Sequence, residues 1–195
     1  MQTPNQESTA QTVSNGRWVS RCKAELPDPA AHVIFWPILI LGLTLDLWTK
    51  SAVFAWLENK PPEYCARIID GIVTFRIALN DGAAFGIASG RQMFLAAVSV
   101  VALFVILGVF LFGGARQRAV QVALGLFAAG VSGNLWDRLF NDGRVRDFID
   151  VVYWPGRHWH TFNVADAMLC VAVGLLIVAT FFTDSSDRKR AQPQK

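Results

Sequence analysis

The sequence predicts an all-α membrane protein with four transmembrane helices and a strand or small sheet outside the bilayer. Three observations carry that prediction. Apolar runs at about 33–57, 93–112, 119–137 and 162–182 are each long enough to cross a hydrocarbon layer ~30 Å thick. Hydrophobic residues make up 53% of the chain and charged residues only 17%, with a mean hydropathy of +0.35, a balance unsuited to a small soluble domain. The polar residues within the runs gather at their ends rather than their middles.

Residues 1–31 are polar and rich in Gln, Ser and Thr, and read as a disordered tail without a cleavable signal. The first span, 33–57, is apolar until Asp46 and Lys50, which share a helix face at i and i+4 and suit an ion pair with a snorkelling lysine. Residues 58–92 carry loop punctuation, yet Val73, Phe75, Ile77 and Leu79 alternate with smaller or polar residues, the period of a strand. That strand leads into Asn80-Asp81-Gly82-Ala83-Ala84-Phe85-Gly86, a turn signal whose small residues allow close approach of another backbone or a ligand. Residues 93–112 form a second span without a charge, followed by a basic turn with Arg116 and Arg118. The third span turns polar at its end with Ser132, Asn134, Asp137 and Arg138, and the fourth carries Asn163 and Asp166 in its first turn. A basic tail over 184–195 closes the chain. The core domain is thus expected over 32–183, with a strand region at about 64–90.

Four spans put both termini on one side of the membrane. Lys and Arg divide evenly between the two sides, but the short basic turn and the terminal cluster favour a cytoplasmic placement of the termini. Every polar cluster then lies at the opposite, extracytoplasmic face. Such convergence marks a functional site, because ionisable groups at a bilayer edge are costly to keep.

Several chemistries find little support. A net charge of +3 with scattered basic residues gives no footprint for nucleic acid. Cys22, Cys65 and Cys170 show no CxxC or metal spacing, and no GxSxG or HExxH occurs. His158 and His160 flank Trp159 and read as interfacial anchors rather than metal ligands. Aspartates are the abundant candidates. Five of them, at 137, 142, 147, 150 and 166, fall between Gly133 and Asp166. Two facing carboxylates share a proton, so that one activates water while the other protonates a carbonyl oxygen, with no metal or cofactor. Asp166 is one candidate, although at N3 after an Asn163 N-cap it also suits plain helix capping. Its partner is either Asp147 or Asp150, three residues apart, and spacing does not choose between them.

Five motifs in order carry a family resemblance over about 33–183: Asp46-Leu-Trp-Thr-Lys50, Asn80-Asp-Gly-Ala-Ala-Phe85-Gly, Gly133-Asn-Leu-Trp-Asp-Arg138, Val145-Arg-Asp147-Phe and Phe162-Asn-Val-Ala-Asp166. The chain resembles the lipoprotein signal peptidases (signal peptidase II), aspartic endopeptidases of bacterial membranes. The resemblance implies that Asp147 and Asp166 are the catalytic dyad. It implies supporting roles for Asp46, Lys50, Asn80, Gly82, Asn134, Asp137, Arg138, Asn163 and Ala165. It also implies a small extracytoplasmic β-sheet cradle, a short extracytoplasmic helix or loop, and a place in the cytoplasmic (inner) membrane among its lipids. The implied substrate is a prolipoprotein with a diacylglyceryl cysteine, cut just before that cysteine, and the implied inhibitor is the cyclic peptide globomycin. The segment from Leu139 to Arg146 is one residue longer than the family spacing, which is expected to swell the turn at Asn141-Asp142-Gly143. The rival reading is a small proton- or ion-coupled transporter, which predicts polar residues at mid-depth and an inverted repeat. A non-catalytic scaffold is a third reading, and it leaves the polar convergence unexplained.

Overall fold

The computed structural model describes residues 27–61, 63–82, 88–113, 117–154 and 156–190, with side chains described as far as Phe181. The N-terminal tail to 26, residues 83–87 of the glycine-rich segment, residues 114–116 of the basic turn and the tail beyond 190 lie outside the described residues.

Four helices dominate: α1 (Pro29–Leu57), α2 (Gln92–Phe112), α3 (Arg118–Phe140) and α4 (Val164–Arg190). All four contain stretches long and apolar enough to cross a membrane. Helix α1 starts four residues before its apolar run, because Asp28 caps it by accepting the Ala31 N–H at 2.7 Å and Pro29 occupies the first turn. Helix α3 is the central one and packs against the other three. Its inward face is built of small residues, including Ala123, Gly125, Ala128, Ala129, Gly130 and Gly133, which let neighbouring backbones come close. A methyl group at Gly130, for example, would fall 2.7 Å from the Ala165 carbonyl oxygen of α4. Large apolar side chains such as Leu41, Trp48, Phe104 and Phe181 point outward, as lipid-facing helices require. At the end of the bundle far from the acids, Phe35 of α1 stacks on Phe110 of α2 with ring centroids 4.1 Å apart.

Between the helices lies an antiparallel sheet in the order β1 (Ala66–Ile69), β2 (Val73–Asn80), β3 (Val145–Trp154) and β4 (Arg157–His158). Strand β2 covers the alternating segment read from the sequence. Strand β3 is longer, ten residues, and was not anticipated. It touches α1 and α3 and fastens the sheet to the bundle. Among the described residues no helix beyond the four occurs, so the short helix or loop expected beside the sheet is loop there.

Two irregularities meet in β3. The β2–β3 register shifts between Phe75 and Ala78, and the Phe148 and Ile149 amides both donate to the single Phe162 carbonyl, at 3.1 and 2.8 Å. This bulge changes which parity of residue faces inward, so Val145 and Asp147 are buried on one side of it and Phe148 and Asp150 on the other. Two acids three apart are thereby both taken out of solvent.

Candidate active site

The polar ends of α1, α3 and α4, with the start of β3 and the end of β2, meet in one network. At its base Lys50, fully buried, pairs with Asp46 at 2.7 Å and Asp137 at 3.2 Å and donates to Asn134 Oδ1 at 3.1 Å. Three donors thus meet three acceptors, which is what an ammonium without water needs. The snorkelling expected of Lys50 does not occur, because these partners hold its head inside the bundle. Asp137 receives a second cation from β3, since Arg146 donates to it from Nη2 at 2.7 Å, from Nε at 3.0 Å and from its backbone N–H at 2.9 Å. Arg146 was given no role from sequence. It sits inside a motif already singled out, but its contact with Asp137 depends on the turn between α3 and β3. In that turn Asp142 and Gly143 take φ values of 49° and 78°, and Arg138 still reaches back to the Asn134 and Gly82 carbonyls at 3.3 and 3.1 Å.

The first turn of α4 is organised by acids. Asn163 Oδ1 accepts the Asp166 N–H at 3.0 Å, and Asp166 Oδ2 accepts the Asn163 N–H at 3.2 Å, a reciprocal capping box. The Ala165 N–H is taken by Asp46 Oδ1 of α1 at 2.8 Å. Gly133 leaves room for this contact, since a side chain there would collide with the Asp46 carboxylate. Small residues at 133 and 165 therefore serve a charge as well as packing.

Two asparagines join the acids. Asn163 Nδ2 donates to Asp147 Oδ1 at 2.7 Å and to Asn134 Oδ1 at 3.1 Å, while Asn134 Nδ2 donates to Asp166 Oδ1 at 2.8 Å. Asn80 of β2 donates to the other Asp147 oxygen at 3.0 Å and is itself held by the Gly82 N–H at 3.0 Å. Asn163 thus touches both carboxylates, Asp147 through its side-chain amide and Asp166 through its backbone N–H. Asp147 is 1% exposed, and burial, followed by the nearby Asp166 charge, pushes its carboxyl up to about 7; Asn80 and Asn163 pull the other way.

Asp150 stands apart from this network. Its Oδ2 accepts Thr74 Oγ1 at 3.1 Å and pairs with His158 Nδ1 at 2.7 Å. All eleven residues singled out from sequence are among the described residues and belong to the network around Asp147 and Asp166. Arg146, Gly133 and the Thr74–Asp150–His158 cluster are additions.

Comparison with known proteins places this arrangement. The family model described as signal peptidase (SPase) II matches residues 38–182. The lipoprotein signal peptidase of Geobacter sulfurreducens is 45% identical over 148 residues, covering 74% of this chain and 89% of that protein. The lipoprotein signal peptidase of Rhodopirellula baltica is 34% identical over 165 residues, covering 77% and 72%. A bacterial membrane enzyme structure determined by the in meso method at 2.3 Å resolution superposes with a TM-score of 0.69 at 28% identity, covering 85% of this chain and 94% of that one. These similarities give no support to an ion-coupled transporter. With the matched region spanning all four helices and the sheet, the chain belongs to the signal peptidase II family.

Proposed function

We propose that this protein is a membrane aspartic endopeptidase that removes the signal peptide from diacylglyceryl-modified prolipoproteins, with Asp147 and Asp166 as its dyad. One observation carries the choice of pair: Asn163 binds both carboxylates, while Asp150 is engaged elsewhere with Thr74 and His158. We assign the shared proton to Asp147, whose carboxyl is pushed up to about 7.

Asp166 then takes a proton from water as the water oxygen attacks the scissile carbonyl carbon, and Asp147 gives its proton to the carbonyl oxygen. Collapse of the tetrahedral diol breaks the C–N bond, and the proton held on Asp166 goes to the departing amine of the new N-terminal cysteine. Asp147 takes back a proton from one diol hydroxyl as the carboxyl forms, so both acids return to their starting states. Asn134, Asn163 and Asn80 hold the two carboxyls in register. Asp46, Lys50 and Ala165 fix the helix end that carries Asp166, Asp137 holds the start of the strand that carries Asp147, and Arg138 with Gly82 fixes the turn beside them. No metal or cofactor enters the scheme. The lipid on the substrate cysteine anchors its peptide bond at the bilayer surface, the level at which the acids are expected if the termini are cytoplasmic. The enzyme would then act at the extracytoplasmic face of the cytoplasmic membrane, and globomycin would compete for the site.

Purified protein in detergent, given a diacylglyceryl prolipoprotein with and without a chelator, tests this reading. Cleavage resistant to chelation and lost by about 10²–10⁴-fold in both Asp147→Asn and Asp166→Asn is expected for acid–base carboxylates. Full cleavage by either variant would remove that residue from the dyad.

A further inference from the structure

A cavity of about 320 Å³ opens over β2 and β3, and its lining joins Asp147 and Asn80 to Asp150, His158 and Arg76. Asp150 is buried, and its Oδ2 gathers Thr74 of β2 and His158 of β4, so one carboxylate ties three strands together. Facing that carboxylate, His158 Nδ1 is the donor. The imidazole lines the cavity and its side chain is 49% exposed, and with Nδ1 engaged by Asp150 its remaining hydrogen-bonding atom is Nε2. A histidine oriented by a buried carboxylate has a fixed ring plane and a fixed tautomer, which suits it to bind a partner through its second nitrogen.

We infer that His158, oriented by Asp150, is a substrate-binding residue whose Nε2 hydrogen-bonds the main chain of the polypeptide lying in the cavity beside Asp147. An extended peptide presents an amide or carbonyl at every residue, so a single fixed nitrogen sets its register without reading its side chains. That matches an enzyme acting on many sequences that share one lipidated residue. The inference rests on the peptidase reading above and adds to it a polar contact outside the dyad network.

The two ring nitrogens are separable by substitution. Asparagine at 158 places an amide near the Nδ1 position, keeping the contact to Asp150 and the strand tie while removing Nε2. Glutamine reaches the Nε2 position instead. In the prolipoprotein cleavage assay, His158→Asn is expected to raise KM by about three- to tenfold, the loss of one hydrogen bond, with kcat within about twofold of wild type. His158→Gln should fall nearer to wild type in KM. Thermal unfolding of each variant in the same detergent reports the strand tie separately. Wild-type kinetics in His158→Asn, or a glutamine variant worse than the asparagine one, would make His158 a structural tie only and overturn the inference. A kcat loss at constant KM would overturn it as well, by moving the residue into the chemical step. Failure of wild type itself to cleave would instead overturn the peptidase reading and this inference with it.

Discussion

The Asp147 carboxyl keeps its proton up to about pH 7, whereas a free aspartate loses it near 3.8. Between those values the folded protein binds the extra proton, so stability contributed by this residue is complete below 3.8 and is lost as pH rises through about 7. Asp147→Asn removes the titration. The variant is therefore expected to be inactive and to lose the decline in unfolding temperature that this residue imposes on wild type between about pH 4 and pH 7, as measured by thermal unfolding across pH. Cleavage by the wild type should decline on the alkaline side as the shared proton is lost. Asn80→Ala removes a hydrogen bond that favours the ionised form, and is expected to move that alkaline limb upward. A limb unmoved in Asn80→Ala would assign it to another group.

Among elements, the contact of α1 with α4 is the most exacting. Gly133→Ala forces the Asp46 carboxylate away from the Ala165 amide, and a cost of about 1–3 kcal/mol is expected from such overpacking, visible as a lowered unfolding temperature in detergent. Lys50→Met is expected to be worse, about 3–5 kcal/mol, because it leaves the buried Asp46 carboxylate without its cation and Asp137 with Arg146 alone. A normal unfolding temperature in Lys50→Met would mean that Arg146 alone compensates both acids. The helices and β2 were legible because lipid demands apolar length and a half-buried strand demands alternation. Strand β3 was not. Its inward positions mix Val145 and Phe148 with Asp147 and Asp150, and the bulge at Phe148–Ile149 switches their parity midway, so no period of two survives. The capping box at Asn163 and Asp166 was legible from spacing alone. Spacing left Asp147 and Asp150 open and the resemblance pointed to Asp147; in the structure Asn163 binds Asp147 and His158 binds Asp150.

For the whole molecule, the acids gather at one end of a four-helix bundle whose far end is sealed by aromatic and aliphatic packing. The direction of that axis in the membrane, proposed from the short basic turn and the terminal cluster, is open to direct measurement. Cys65 is exposed in the segment between α1 and β1. With Cys22 replaced by serine, a membrane-impermeant maleimide added to intact spheroplasts is expected to label Cys65; with Cys65 replaced instead, Cys22 should stay unlabelled until the membrane is opened. The reverse pattern would invert the proposed topology. Asp46, on the first helix, accepts the Ala165 amide of the last, and Asp147 depends on Asn163 at the threshold of that same helix. A ribosome-bound chain that has delivered only three helices to the bilayer therefore lacks not just one acid but the frame that aims the other. On the proposed dyad, proteolytic competence arrives only with the final segment.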